Sequence, residues 1–129
     1  MALPICAGFN HPMMAHVPPR LGLNAWALVL ENDGHERWHM HPSSWISGVY
    51  YVRVPERLHA GGDKAGAIGF GPLPLPSGAS MDSIEFPRWQ VQPREGQLLM
   101  FPSYFAHRTW PTGSSEPRIC VAFDAVPIR

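Results

Sequence analysis

The chain has 129 residues, of which 45% are hydrophobic and 16% are charged, and its 10 basic side chains balance 10 acidic ones. This length is enough for one hydrophobic core but not for two, and the composition is that of a folded protein rather than a disordered one. A net charge of zero provides no field that would attract a phosphate backbone or an anionic membrane. We therefore expect neither nucleic acid nor a membrane as a partner.

The sequence carries no sign of export or of a disulfide framework. It contains no apolar run of the length that a membrane span needs, and its first residues lack the pattern of a signal peptide. Cys6 and Cys120 are far apart and do not have the spacing of a metal or redox motif. We expect a cytoplasmic protein with reduced thiols.

Taken in chain order, the sequence predicts short strands between turns, because 15 prolines and 12 glycines interrupt every helical period. Residues 1–20 are expected to form an N-terminal arm, and residues 21–129 a single domain. The segments 25–31 and 36–41 are predicted to form a hairpin around a turn at residues 32–34. Further strands are predicted over residues 45–54, 67–70, 89–92, 97–101, 106–110 and 118–125. About eight such strands favour an all-β sandwich or small barrel, with loops over residues 58–66 and 71–80 at one end.

His39 and His41 are the first residues that suggest chemistry. Side chains two residues apart on an extended segment project from the same face, so both imidazoles could reach one ion. A metal site needs at least one more ligand, and His107, in another predicted strand, is the natural candidate. Each of these histidines taken alone is as consistent with an ordinary surface side chain.

Arg118 begins the last predicted strand, where it could point into the same end of the barrel. A guanidinium there can bind a carboxylate through two parallel hydrogen bonds. The alternative is a solvated charge or a simple ion pair at the end of a strand.

Four segments together resemble a known family. In order, they are HMHPSSWISGVYYVRVP, GAIGFGPLP, QPREGQLLMFPSYFAHRTWP and EPRICVAFDAVP. They are similar to the family of 2-oxoglutarate/Fe(II) oxygenases that often follow tetratricopeptide repeats, and the resemblance runs from about residue 26 to residue 127. The chain contains no such repeats, so it resembles the catalytic module alone. The resemblance implies a double-stranded β-helix, that is, a jelly-roll or cupin-like barrel, that binds Fe(II) in its mouth and uses 2-oxoglutarate and O2.

By that resemblance His39 is the first metal ligand and His107 the last, and Arg118 binds the distal carboxylate of 2-oxoglutarate. His41 departs from the pattern of the wider superfamily, which is H-x-D at these positions. We predict that His41 is nevertheless the third ligand. A carboxylate from elsewhere could still complete the usual set, and the candidates are Asp33, Glu36 and Asp124.

Two further positions belong to the predicted cosubstrate site. Cys120 stands where a serine commonly follows the arginine, so binding is expected to depend more on Arg118 and on a tyrosine such as Tyr51. Cys120 itself is expected to point inward and to pack in the core. Tyr50 and Tyr51 lie on opposite faces of one strand, so only one of them can face the pocket.

These expectations describe an Fe(II)- and 2-oxoglutarate-dependent dioxygenase that hydroxylates a small-molecule or peptide substrate and releases succinate and CO2. One alternative is a three-histidine cupin-type dioxygenase that does not use 2-oxoglutarate, which His41 favours and Arg118 opposes. Another is a non-catalytic metal-binding barrel. Of the other histidines, His35 is the one expected to touch substrate. An open barrel edge or the arm could mediate a homodimer.

Overall fold

The computed structural model of the protein describes residues 12–60, 64–71 and 89–129. Residues 1–11 of the predicted arm and most of the predicted loop over residues 71–80 lie outside these ranges. Within them, helix α1 (Pro12–Ala15) and a 3₁₀ helix (Glu56–Ala60) accompany the strands, and neither could span a membrane. The strands are β1 (Leu21–Leu30), β2 (Ile46–Arg53), β3 (Ile68–Phe70), β4 (Trp89–Val91), β5 (Leu98–Pro102), β6 (His107–Thr109) and β7 (Arg118–Pro127).

The strands form two antiparallel sheets. The large sheet has the order β1-β7-β2-β5, and the small sheet has the order β4-β3-β6. β7 lies inside the large sheet because it pairs with β1 along its whole length and with β2 on its other side. This arrangement is a double-stranded β-helix and confirms the predicted fold class. It contains every predicted strand except the one over residues 36–41.

Alternation along the strands decides which side chains form the core. On β7, Cys120 and Ala122 are buried, whereas Ile119 and Val121, which alternate with them, are half-buried on the opposite side. The core lies between the sheets, because Ile68 of the small sheet packs in the same cluster as residues of the large one. Its buried members are Val49, Tyr51, Val54, Leu58, Ile68, Phe101 and Cys120.

The predicted hairpin between residues 25–31 and 36–41 is wrong. β1 pairs with β7 throughout, and the chain turns away at Asn32, whose φ of 50° is left-handed and whose N–H donates to Ser114 O at 2.7 Å. The segment over residues 36–41 runs beside β6, where the carbonyl oxygen of Glu36 accepts the N–H of Thr109 at 3.0 Å. A long ladder with β7 satisfies more backbone groups than a short hairpin would, and it leaves residues 36–41 free to reach the small sheet.

The outward side of the large sheet is apolar. Register and alternation place side chains from all four strands on this side, and the most exposed include Leu23, Val29, Leu98 and Met100, at 52 to 68%. We call this surface the outer face. Contiguous apolar surfaces of this kind usually mark sites of interaction. The predicted homodimer is not tested by any contact in the structure and stays a prediction.

Candidate metal and cosubstrate site

Three histidines meet where the segment before β2 runs beside β6. His39 and His107 exchange backbone N–H···O bonds of 3.0 and 2.9 Å, which places the two side chains next to each other. His41 follows on the same segment, and its N–H donates to Ser103 O at 3.0 Å. One ring nitrogen from each histidine lies within 4.8 Å of the others. The structure therefore brings together the three histidines that the sequence singled out.

Hydrogen bonds determine which ring nitrogen of each histidine is free. Nδ1 of His39 and Nδ1 of His107 lie 2.6 and 2.9 Å from backbone carbonyl oxygens two residues earlier in the chain. Nδ1 of His41 lies 2.9 Å from a carboxylate oxygen of Asp124. Because a carbonyl or carboxylate oxygen accepts, each Nδ1 carries a proton, and in the neutral ring Nε2 then has the free lone pair. Neutral imidazole with a free Nε2 and an anchored Nδ1 is the form in which histidine binds metal ions.

His107 is the most deeply buried of the three histidines. It is 5% exposed, and the Phe101 ring packs against it edge-on with 4.8 Å between ring centroids. Burial lowers the pKa of His107 to about 4, and the neighbouring His39 and His41 contribute in the same direction. The imidazole is therefore neutral at physiological pH and ready to donate its lone pair to a cation.

Asp124 is the carboxylate that contacts this cluster. Its Oδ2 accepts from His41 Nδ1, and its Oδ1 accepts from the Ser47 hydroxyl at 2.5 Å. Of the other two candidates, Glu36 lines the cleft but accepts no hydrogen bond from a described histidine, and the backbone oxygen of Asp33 accepts one from His35 Nδ1. Among the described residues, the three histidines are therefore the group that could hold a metal ion, and Asp124 contacts this group through His41.

Arg118 lies in the same cleft as the histidines. It is 1% exposed, its Nη1 donates to Gly66 O at 2.5 Å, and its Nε has no hydrogen-bond partner in the described parts of the chain. Among the residues that the structure describes, no carboxylate lies within ion-pair distance of it, although Glu36 lines the cleft too. A buried guanidinium is stabilised when its charge and its donors are matched, and an anion in the cleft would match both.

Tyr51 and Cys120 flank Arg118 in the same wall of the cleft, at paired positions of β2 and β7. Each is 1% exposed, and burial raises the pKa of the Tyr51 hydroxyl and of the Cys120 thiol, so both stay protonated. Tyr50 is 42% exposed on the outer face. The structure thus resolves which tyrosine faces the pocket, and Cys120 packs inward as expected.

The cleft encloses about 470 Å³ of space, a figure that includes its open mouth. Sequence reasoning missed two of its residues. Trp26 of β1 stacks on the His41 ring with 6.1 Å between centroids, and Ser47 holds Asp124. Ser47 could have been found, because alternation places it on the same face as Val49 and Tyr51. His35 is exposed and is not among the residues that line the cleft.

Known proteins show what this chain resembles. A family model described as "Putative 2OG-Fe(II) oxygenase" matches residues 24–124. No curated protein matches the chain. Solved structures that share the fold include two that are described as oxygenases or as alpha ketoglutarate dependent. An oxidoreductase of the 2OG-Fe(II) oxygenase family from Burkholderia pseudomallei has a TM-score of 0.62 and 12% identity, and the match covers 90% of this chain and 48% of that one.

The second structure is the non-heme alpha ketoglutarate dependent epimerase SnoN from nogalamycin biosynthesis. Its TM-score is 0.58 at 19% identity, and the match covers 81% of this chain and 47% of that one. The chain thus spans about half the length of each structure, and at these identities the likeness shows the fold. Because the family model matches well over half of the sequence, the protein belongs to the 2OG-Fe(II) oxygenase family.

Proposed function

We propose that the protein is an Fe(II)- and 2-oxoglutarate-dependent oxygenase that hydroxylates an organic substrate. The observation that carries this proposal is a cleft that contains three histidines with hydrogen-bonded Nδ1 atoms and a buried arginine that forms no ion pair with any described residue. Three nitrogen ligands on one side suit a catalytic metal, because they leave other positions for exogenous ligands. When bound, Fe(II) and 2-oxoglutarate would together provide the capacity to activate O2, with succinate and CO2 as products.

His39, His41 and His107 would hold the metal through Nε2. Their Nδ1 atoms are hydrogen-bonded to backbone carbonyl oxygens or to the Asp124 carboxylate, so the rings would be oriented before an ion binds. Arg118 would bind the distal carboxylate of 2-oxoglutarate, with the Tyr51 hydroxyl as a further donor nearby. The match to a structure described as alpha ketoglutarate dependent supports this cosubstrate.

The apolar walls of the cleft have a second role. Val49, Ile68 and Phe101 line it beside the polar residues, so water is excluded from part of the surface around the histidines. Low local polarity strengthens the attraction between Arg118 and a carboxylate. It also protects reactive species from side reactions with solvent.

The direct test is anaerobic reconstitution with Fe(II), followed by titration with 2-oxoglutarate while the visible absorption band of the iron–2-oxoglutarate complex is recorded. We expect wild-type protein to develop the band. The Arg118→Ala variant should need at least about 10-fold more 2-oxoglutarate, since a charged hydrogen bond contributes about 1.5–3 kcal/mol. Arg118→Lys should fall in between, because lysine keeps the charge but not the bidentate geometry.

Arg53→Ala is the matched control. Arg53 is an exposed arginine whose charge is paired with Glu116 at 3.0 Å outside the cleft, so its loss should leave the titration unchanged. An equal loss in both variants would mean that general positive charge, and not the buried guanidinium, attracts the cosubstrate. Full affinity in Arg118→Ala would contradict the assigned role of this residue.

A three-histidine dioxygenase that does not use 2-oxoglutarate is the second candidate, and the presence of His41 in the cluster favours it. The two candidates differ in one result. If the protein binds Fe(II) tightly but forms no band and no succinate with 2-oxoglutarate, the second candidate replaces the first.

A further inference from the structure

We propose that Asp124 is a positioning residue that makes His41 the strongest electron donor of the three histidines and supplies the negative charge of the metal site. The proposal rests on the proposed function, because it concerns the same histidines. It begins from a difference among them. Backbone carbonyls accept the Nδ1–H of His39 and of His107, whereas a carboxylate accepts that of His41.

The Asp124 carboxylate is held at both oxygens. Oδ2 accepts from His41 Nδ1 at 2.9 Å, and Oδ1 accepts from Ser47 Oγ at 2.5 Å. Ser47 and Asp124 face each other in the register of β2 and β7, inside the large sheet, and both are at most 9% exposed. The carboxylate is therefore fixed by the sheet, and it fixes the plane of the His41 ring.

The His41 ring is further restricted on one side by Trp26, which stacks on it at an angle of 25°. A hydrogen bond from Nδ1–H to a carboxylate also increases the electron density at Nε2 and so strengthens its bond to a metal. A carbonyl oxygen carries no net charge, so a hydrogen bond to it increases the electron density at Nε2 less than a hydrogen bond to a carboxylate does. The three histidines should therefore contribute unequally, with His41 the strongest donor.

The charge balance of the site points to the same role. Three neutral imidazoles leave a divalent ion with its full charge, in a cleft that also contains the Arg118 guanidinium. Asp124 places one negative charge in contact with a ligand, where partial burial limits its screening by water. Glu36 is another acidic residue of the cleft, and it makes no hydrogen bond to a histidine among the contacts of the described residues.

The experiment measures metal affinity and redox potential, so it does not depend on catalytic activity. Co(II) and Fe(II) are titrated anaerobically, with a competing chelator, into wild type and into the variants Asp124→Asn, Ser47→Ala and Glu36→Gln. We expect Asp124→Asn to weaken binding 10- to 100-fold and to shift the Fe(III)/Fe(II) potential upward, because the oxidised ion loses more stabilisation. Ser47→Ala should weaken binding only a few-fold, since it loosens the carboxylate without removing it.

Glu36→Gln is the control, because it removes a negative charge from the cleft without breaking a bond to a histidine. The proposal predicts a smaller effect on affinity and potential from this change than from Asp124→Asn. Equal effects, or an Asp124→Asn affinity within about 2-fold of wild type, would overturn it. His41→Ala should bind metal more weakly than Asp124→Asn, and the reverse order would make Asp124 itself the ligand and also overturn the proposal.

Circular dichroism and urea unfolding of each variant show whether it is folded before the titrations are compared. If Asp124→Asn does not fold, the Ser47→Ala variant and the potential of its iron site decide the question. The inference and the proposed function fail in different ways. Wild type that binds no divalent metal would contradict the proposed function, whereas wild type that binds metal with no loss in Asp124→Asn would contradict the role of Asp124 alone.

Discussion

Arg118, Cys120 and Asp124 occupy alternate positions of β7 and line the cleft, so one strand carries residues for both halves of the site. Their burial has different consequences. Arg118 forms no ion pair with the residues that the structure describes, which fits the proposed role of binding an anion. Asp124 is matched by two donors, and Cys120 is a neutral thiol packed against Tyr51. The environment of each side chain, more than its type, determines its role.

The burial of Cys120 allows a test of whether this thiol is a packing residue or a reactive group. Burial raises the pKa of Cys120, so little thiolate forms near neutral pH, and reagents cannot reach the sulfur. In a Cys6→Ser variant, where Cys120 is the remaining thiol of the sequence, we expect labelling by a disulfide reagent at pH 7.5 to be at least ~100-fold slower than in guanidinium. Labelling at equal rates in the native and unfolded protein would show that the thiol is accessible.

At the scale of the strand, close approach between neighbours requires glycine at Gly48. A Cβ there would lie 2.2 Å from Cζ of Phe123 and 2.8 Å from Leu99 O, and the latter is a backbone atom that cannot move freely. Gly48 lies on β2 directly after Ser47, the residue that holds Asp124. Packing around this glycine therefore supports the part of the strand that carries the site.

We expect Gly48→Ala to lower the free energy of unfolding by about 1–3 kcal/mol, because Phe123 and the adjacent strand must shift. Gly22→Ala is the matched control. Its Cβ would be 3.6 Å from the nearest atom, which is an ordinary contact, so the change should be within about 0.5 kcal/mol. Urea unfolding of both variants measures the difference. Equal midpoints for the two would show that β2 tolerates a side chain at position 48.

The strands show why local sequence predicted much of the fold but not all of it. β2 and β7 have strong β-sheet residues in alternation between turns, and each was predicted within two residues of its ends. The hairpin after β1 was predicted wrongly because Asn32 and the following glycine signal a turn without indicating which strand is reached afterwards. Pairing of β1 with β7 is a long-range contact, and nothing within those ten residues specifies it.

At the scale of the whole molecule, the protein has a cleft that contains the histidines and Arg118 on one side of the large sheet and the apolar outer face on the other. No described residue outside the sheet covers the outer face. The histidines and Arg118 could be proposed from their positions on predicted strands, and a family resemblance then related these segments, which are distant along the chain. The choice of Tyr51 over Tyr50, the contact of Asp124 with His41, and the position of Ser47 depend on register between strands. Those features required three-dimensional structure. The apolar outer face likewise appears only when the four strands are assembled.

The central claim is that His39, His41 and His107 together hold one metal ion, and X-ray absorption spectroscopy of the Fe(II)-loaded protein tests it most directly. The structure predicts a first shell of nitrogen and oxygen atoms without sulfur, since Cys120 is not part of the histidine cluster, and the outer-shell scattering of three imidazoles. His41→Ala should reduce that scattering to two imidazoles. A wild-type spectrum with two imidazoles and a carboxylate, unchanged in His41→Ala, would contradict the three-histidine site.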